Sequence, residues 1–281
     1  MPKPANPLLV VLALWALCVT FSVRAQSDRS EQTPLAVPGG IYVWPLPAGA
    51  NNIRFNNRPV LVNQGRALIG IALSQPLGGA EIRYQLDGTT LVHHFAVQDK
   101  AYTEQHITLK NHEMVNPNPQ QLARIREESQ RQRQLYLRYS DYPTPRQGFV
   151  LPLEGKVSSL FGHRRFFNGE PRNPHSGLDI AAPTGTPVLA PASGQVVMVD
   201  NLYYNGKTVF LDHGQGLITM YCHLSEQAVA EGESVEQGQV IGLVGATGRV
   251  TGPHLHWSVS LNGYRVDPTT LMALLPSTGG S

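Results

Sequence analysis

The stretch "GPHLHWSV", residues 252–259, sets two imidazoles one residue apart in a run that otherwise reads as a β-strand. Period-two alternation places His254 and His256 on one face and Leu255, Trp257 and Val259 on the other. One face then belongs to a core, and the other is free to hold a metal ion or move protons. A second stretch, "NPHSGLDIAAPTGTPV", carries His175 and, four residues on, Asp179. Asn173-Pro174 before the histidine and Ser176-Gly177 after it argue against a helix. A loop therefore delivers His175, and the start of a strand delivers Asp179. Two imidazoles and one carboxylate suit Zn²⁺ with a fourth position open to water. The chain has 2 cysteines, so a structural all-cysteine site is excluded and any zinc here is of the catalytic kind. The residues alone leave a plainer alternative open, an ordinary polar strand face.

The elements that must position these groups are mostly strands. From Val150 to about Pro276 the runs "TPVLAPASGQVVMVD", "KTVFLDHGQGLITMYCHLS" and "SVEQGQVIGLVG" alternate with glycine-marked turns, and no long amphipathic helix interrupts them. An antiparallel sheet or a pair of packed sheets follows. Residues 36–112 show the same habit in shorter runs ("GIYVWPLP", "PVLVN", "AEIRYQL", "TLVHHFAV") and predict a small β-sandwich-like domain. Its His93, His94, His106 and His112 have no carboxylate or thiol companions at ligand spacing and read as structural or surface residues. Between the two regions, residues 113–147 form a linker. Its Arg-rich stretch from about 119 to 139 predicts a polar helix with a thin stripe of Leu122, Ile125, Leu135 and Tyr139, bridging domains or lying on a surface. The fold class is thus dominated by β structure, with the second domain spanning 148–276.

Composition narrows the partners. Lys plus Arg total 22 and Asp plus Glu total 20 in 281 residues. Lys3 and Arg24 lie in the first 25 residues, which contain no acid, so the remainder is neutral and gives no support to nucleic-acid binding. Glu127 and Glu128 dilute the basic helix, and no aromatic platform follows it. The first 25 residues resemble a signal peptide: Lys3, an apolar run from Leu8 to Val19, then Val23 and Ala25 at the −3 and −1 positions. The apolar run is short of the ~20 residues of a membrane span, so no stable span is expected after cleavage, although an uncleaved anchor is the alternative. Cys18 would leave with this segment. Cys222 then has no partner for an intrachain disulfide, and its strand-like surroundings predict plain burial.

The order and wording of "SSLFGHR", "HSGLDIAAPTGTPV", "GKTVFLDHGQGLITMYCHLS" and "GQVIGLVGATGRVTGPHLHWSV" resemble the lysostaphin-type, LytM-like zinc metallopeptidases over roughly 150–270. The N-terminal β region resembles, more loosely, the domain that precedes this module in some Gram-negative members. The resemblance implies that His175, Asp179 and His256 bind one Zn²⁺ per chain and that His223 and His254 are catalytic without being ligands. It implies hydrolysis of peptide cross-links in peptidoglycan by a metal-activated water, in an exported protein of the periplasm. His213 matches a position read as structural, His163 stands at a variable one, and Asn205 blurs the register that would make Tyr204 a site residue. The loop 163–174 either walls a substrate groove or is a surface loop. Some members without zinc ligands act instead as regulators that activate cell-wall amidases, and no regulatory protein partner is identified by the sequence.

Overall fold

The computed structural model describes residues 35–142 and 148–275, together with Met1. The expected export segment 1–25 and part of the linker before Gly148 lie outside the described residues. The architecture is mostly β, as expected. Its centre is an eight-stranded antiparallel sheet with the order Ser234–Val235, Gly194–Leu202, Gly206–Asp212, Ile218–Leu224, His254–Leu261, Leu178–Ala181 and Lys156–Ser159, with Tyr264–Val266 added beside His254–Leu261. Strand Ile218–Leu224 is buried at every position, which explains why "ITMYCHL" reads as a continuous apolar run. Both of its faces are covered.

One face carries Leu178, Ile180, Val209, Leu211, Tyr221, Leu255, Trp257 and Val259 in the main core. The opposite face offers Val197, Met198, Phe210, Ile218, Met220 and Cys222, and Tyr136 of the polar helix seals them. That helix runs Pro119–Tyr136, starting with a capping box in which Asn118 and Gln121 satisfy each other's backbone N–H and proline occupies the first turn. It ends three residues short of the predicted limit, so Tyr139 lies beyond it, and the inward stripe includes buried Glu128. Glu128 Oε1 accepts from Arg124 Nε at 2.6 Å, and Oε2 accepts the Tyr203 backbone N–H at 2.8 Å. A pattern search for apolar spacing passes over such a carboxylate because its burial depends on the facing turn. Among the described residues no helix is long and apolar enough to cross a membrane.

The N-terminal strands form two sheets face to face. One has the order Ile41–Pro45, Arg66–Gly70, Leu61–Asn63, and the other Arg58–Pro59, Asn51–Phe55, Gly78–Leu86, Thr89–Val97. Trp44, Phe55, Ala67, Ile69 and Ile82 fill the space between them. The alternate residues Ile41, Leu61 and Leu68 point the other way and join the core that holds Trp257 and Leu261. Asn262 ties the layers together: its Oδ1 accepts the Gly70 N–H at 2.7 Å and its Nδ2 donates to the Gly70 carbonyl at 3.2 Å.

Candidate active site

Strand register builds most of the site. Asp179 lies opposite His256 across one antiparallel pair, and Cys222 lies opposite His256 across the next. His254 and His256 share the face away from buried Leu255, Trp257 and Val259, as alternation requires. His175 comes from the loop before Leu178–Ala181. Its N–H donates to the His163 carbonyl at 2.9 Å and its carbonyl accepts the Gly162 N–H at 2.8 Å.

His223 reaches the site by a break in the pleat. Tyr221 belongs to the main core and Cys222 to the opposite one, so His223 would follow Tyr221 inward. Instead its φ is +63°, and Leu224 resumes on the Tyr221 side. A non-glycine residue held there carries strain of order 1–3 kcal/mol. The result is a His223 ring 4.8 Å from that of His254 and 6.1 Å from that of His256, centroid to centroid. Thr247 holds it in place. Its carbonyl accepts His223 Nδ1–H at 2.8 Å, while its hydroxyl donates to the Leu224 carbonyl and accepts the Lys207 N–H. Gly206, at φ +62°, makes room for Thr247, since a Cβ there would collide with the threonine hydroxyl.

Hydrogen bonds fix which ring nitrogens are free. His175 Nδ1 donates to the Leu160 carbonyl at 2.7 Å, leaving Nε2 as a lone pair. His256 Nε2 donates to Ser258 Oγ at 3.1 Å, because that hydroxyl's own proton goes to the Ser176 carbonyl. His256 Nδ1 is therefore the lone pair. These two nitrogens and Asp179 Oδ1 converge at separations of 2.7, 2.9 and 3.0 Å. Three acceptors facing one another are satisfied by a shared proton or by a cation. The separations sit a few tenths of an ångström inside the roughly 3.3 Å edge of a tetrahedral zinc site with ~2.0–2.1 Å bonds. The donor set fits a metal, and among the described residues it is the cluster able to hold one.

Electrostatics agree. Burial opposes charge on Asp179, yet its bonds to His175 and His256 hold its carboxyl well below the ordinary range. Burial also depresses His175, brings His256 down to about 4 and takes His223 to about 3, so all three rings are neutral at neutral pH. His254 Nδ1 donates to the Gly252 carbonyl at 2.9 Å, and its Nε2 stands 4.0 Å from Asp179 Oδ1. Both His223 and His254 thus present a free Nε2, the form needed to accept a proton.

The other sequence candidates lie around this centre. His163 Nδ1 contacts Ser159 Oγ at 3.3 Å, outside the converging donors. His213 is fully buried, bonded to the Ser193 carbonyl and Thr219. The Tyr204 ring stacks on the Arg249 guanidinium at 4.0 Å. The loop 163–174 contains a hairpin, Arg164–Phe167 with Glu170–Pro171, and its first strand pairs in parallel with Glu104–Ile107. Sequence reading missed Arg165, whose Nη2 donates to Asp179 Oδ2 at 2.6 Å, and Ser159, Gln105 and Ser258. None of these residue types is informative without the fold.

Residues 173–268, which contain all five histidine and aspartate candidates, match the model of peptidase family M23. A crystal structure of a candidate M23 peptidase from Pseudomonas aeruginosa is 38% identical, covers 85% of this chain and 96% of that one, and superposes with a TM-score of 0.71. The chain belongs to peptidase family M23. Among curated relatives, the peptidoglycan DD-endopeptidase ShyA of Vibrio cholerae is 43% identical over 122 residues. The DD-carboxypeptidase/endopeptidase Mpg of Neisseria meningitidis is 42% identical over 121. Each match takes in 43% of this chain and 28% of the relative, so the shared segment spans under a third of those proteins.

Proposed function

We propose that this M23 chain is a zinc-dependent endopeptidase that hydrolyses peptide cross-links of bacterial peptidoglycan. The observation that carries the reading is the convergence of three donor atoms, from His175, Asp179 and His256, beside two further histidines whose Nδ1 atoms are bonded to backbone carbonyls. His175 Nε2, His256 Nδ1 and Asp179 Oδ1 would hold the metal. Bound zinc supplies Lewis acidity, polarising the scissile carbonyl and making water acidic near neutral pH.

The chain's own residues supply the proton chemistry. Thr247 and Gly252 lock His223 and His254 as Nδ1–H tautomers. One of their Nε2 atoms accepts the proton released as a water molecule attacks, and the imidazolium so formed donates it to the departing amine, while the other orients the water or stabilises the oxyanion. Burial of His223 keeps that ring neutral at working pH. The curated relatives named for peptidoglycan cleavage support the substrate class, and that substrate, with the signal-like leader, supports export to the periplasm of a Gram-negative cell. The intact donor set counts against the alternative of a non-enzymatic regulator of amidases.

The test is digestion of purified sacculi and cross-linked muropeptides by the zinc-loaded protein, with products identified by mass spectrometry and His256→Ala as control. Conversion of cross-linked dimers to monomers, absent in the control, is expected. A zinc-bound protein that leaves the dimers intact would overturn the reading.

A further inference from the structure

Asp179 has two oxygens, and only Oδ1 faces the histidines. The other, Oδ2, accepts from Arg165 Nη2 at 2.6 Å, with both side chains largely buried. Arg165 is itself held. Its Nε donates to Gln105 Oε1 at 3.0 Å, and its Nη2 also reaches Ser159 Oγ at 3.2 Å. The orientation of the Gln105 amide follows from chemistry: Arg165 Nε can only donate, so the atom facing it is the oxygen. That same oxygen accepts from Ser159 Oγ at 3.0 Å, and Ser159 lies opposite Asp179 in the sheet.

Gln105 belongs to strand Glu104–Ile107, in the N-terminal region and outside the matched segment 173–268. It is the direct register partner of Arg165 in the parallel pair. Both ends of that pair are fastened. The Arg164 N–H donates to the Thr103 carbonyl, the Asn168 N–H to the Ile107 carbonyl, and Asn168 Oδ1 accepts the Leu109 N–H at 2.8 Å. A guanidinium is a planar fork with a fixed angle between Nε and Nη2, so pinning Nε aims Nη2.

We infer that Gln105 is a positioning residue for the metal centre: acting through Arg165, it holds the Asp179 carboxylate with Oδ1 turned toward His175 and His256. The inference rests on the zinc reading given above. It makes the N-terminal region part of the site without touching the metal. Partners of this kind, bonded to a ligand and not to the ion, typically change metal affinity by ~10–100-fold when removed. Gln105→Ala isolates positioning from charge, because Arg165 keeps its charge and loses only the acceptor that aims it.

The experiment uses the full chain. Zinc dissociation constants are measured by chelator competition for wild type, Gln105→Ala, Gln105→Glu, Arg165→Lys and the double variant Gln105→Ala/Arg165→Lys. The visible absorption of the cobalt-substituted forms reports ligand geometry. Gln105→Ala should weaken zinc about tenfold and alter the cobalt spectrum. Gln105→Glu, which keeps an acceptor at the same reach, should hold affinity at or above wild type. Lysine cannot bridge Gln105 and Asp179 as a fork does, so Gln105→Ala should add nothing further to Arg165→Lys. Unchanged affinity and spectrum in Gln105→Ala, or additive losses in the double variant, would overturn the inference while leaving the zinc reading intact. A wild-type chain that binds no zinc would remove both together.

Discussion

His213 offers a test of the fold's electrostatics well away from the metal donors. It is completely buried. Its Nδ1 donates to the Ser193 carbonyl at 2.8 Å, and its Nε2 accepts from Thr219 Oγ at 2.8 Å, with Tyr221 OH next in the chain at 2.8 Å. A proton on Nε2 would strand a charge in the core. Burial accordingly pushes the ring down to about 4 from the usual 6.5. The folded pKa is depressed, so the unfolded state binds more protons between the two values, and stability falls as pH drops from about 6.5 toward about 4. Evaluated between pH 7 and pH 5, with unfolded and folded values of 6.5 and about 4, the loss from this group is about 2 kcal/mol. The assay is denaturant unfolding of the full chain at pH 7, 6 and 5, for wild type and His213→Gln. The variant is weaker at every pH because Thr219 loses its acceptor, but that deficit is not what is read. The gap between the two proteins should narrow by about 2 kcal/mol on going from pH 7 to pH 5. A constant gap, or one that widens in acid, would show that the native ring takes up a proton at least as readily as the unfolded one and would refute the reading of His213 as a ring kept neutral by burial.

Other outcomes follow from the same geometry. Asp179→Ala should abolish both zinc binding and turnover, whereas His223→Ala should keep the metal and lose turnover by ~10²–10⁴-fold, read by metal analysis beside muropeptide digestion. Full activity in His223→Ala would remove it from the mechanism. Tyr136→Ala should cost about 3–5 kcal/mol in denaturant unfolding, because Tyr136 is the buried aromatic that seals Met220, Phe210 and Cys222. Gly177→Ala should weaken zinc binding strongly, since a Cβ there would lie 2.5 Å from the Trp257 carbonyl and 2.7 Å from His256 Cε1. A normal zinc titration for that variant would mean the His256 ring has room to move.

What the sequence disclosed was what local rules govern. His254 and His256 share a face because strand alternation is a property of consecutive residues, and burial of Leu255, Trp257 and Val259 follows from the same rule. Cys222 sits at 0% exposure in an apolar run that promised it, and burial pushes its thiol up to about 12, which keeps it unreactive. The polar helix was visible, but its Asn118 cap and its buried face were not, because Glu128 and Tyr136 face the turn at Tyr203 and the strand at Met220. His223 reaches the site through one positive φ, which no spacing rule announces. Gln105 and Arg165 meet through a parallel pairing of segments 60 residues apart, whereas the other strand pairs among the described residues are antiparallel. Register of that kind is set by the finished fold and leaves no local trace.

The layer formed by Ile41–Pro45, Leu61–Asn63 and Arg66–Gly70 has a consequence for how the chain folds. One side of it faces Trp44 and Phe55, and the other faces Leu261 and its neighbours, with the Gly70–Asn262 bonds closing a separation of 192 residues. Closing so long a loop delays the reward for ordering either end. Until strand His254–Leu261 arrives, Ile41, Leu61 and Leu68 present a bare apolar surface, and a truncated or slowly completed chain carries that surface into solution. Refolding should therefore be slow, should be limited by this long-range docking, and should be most prone to aggregation before the final strands are in place.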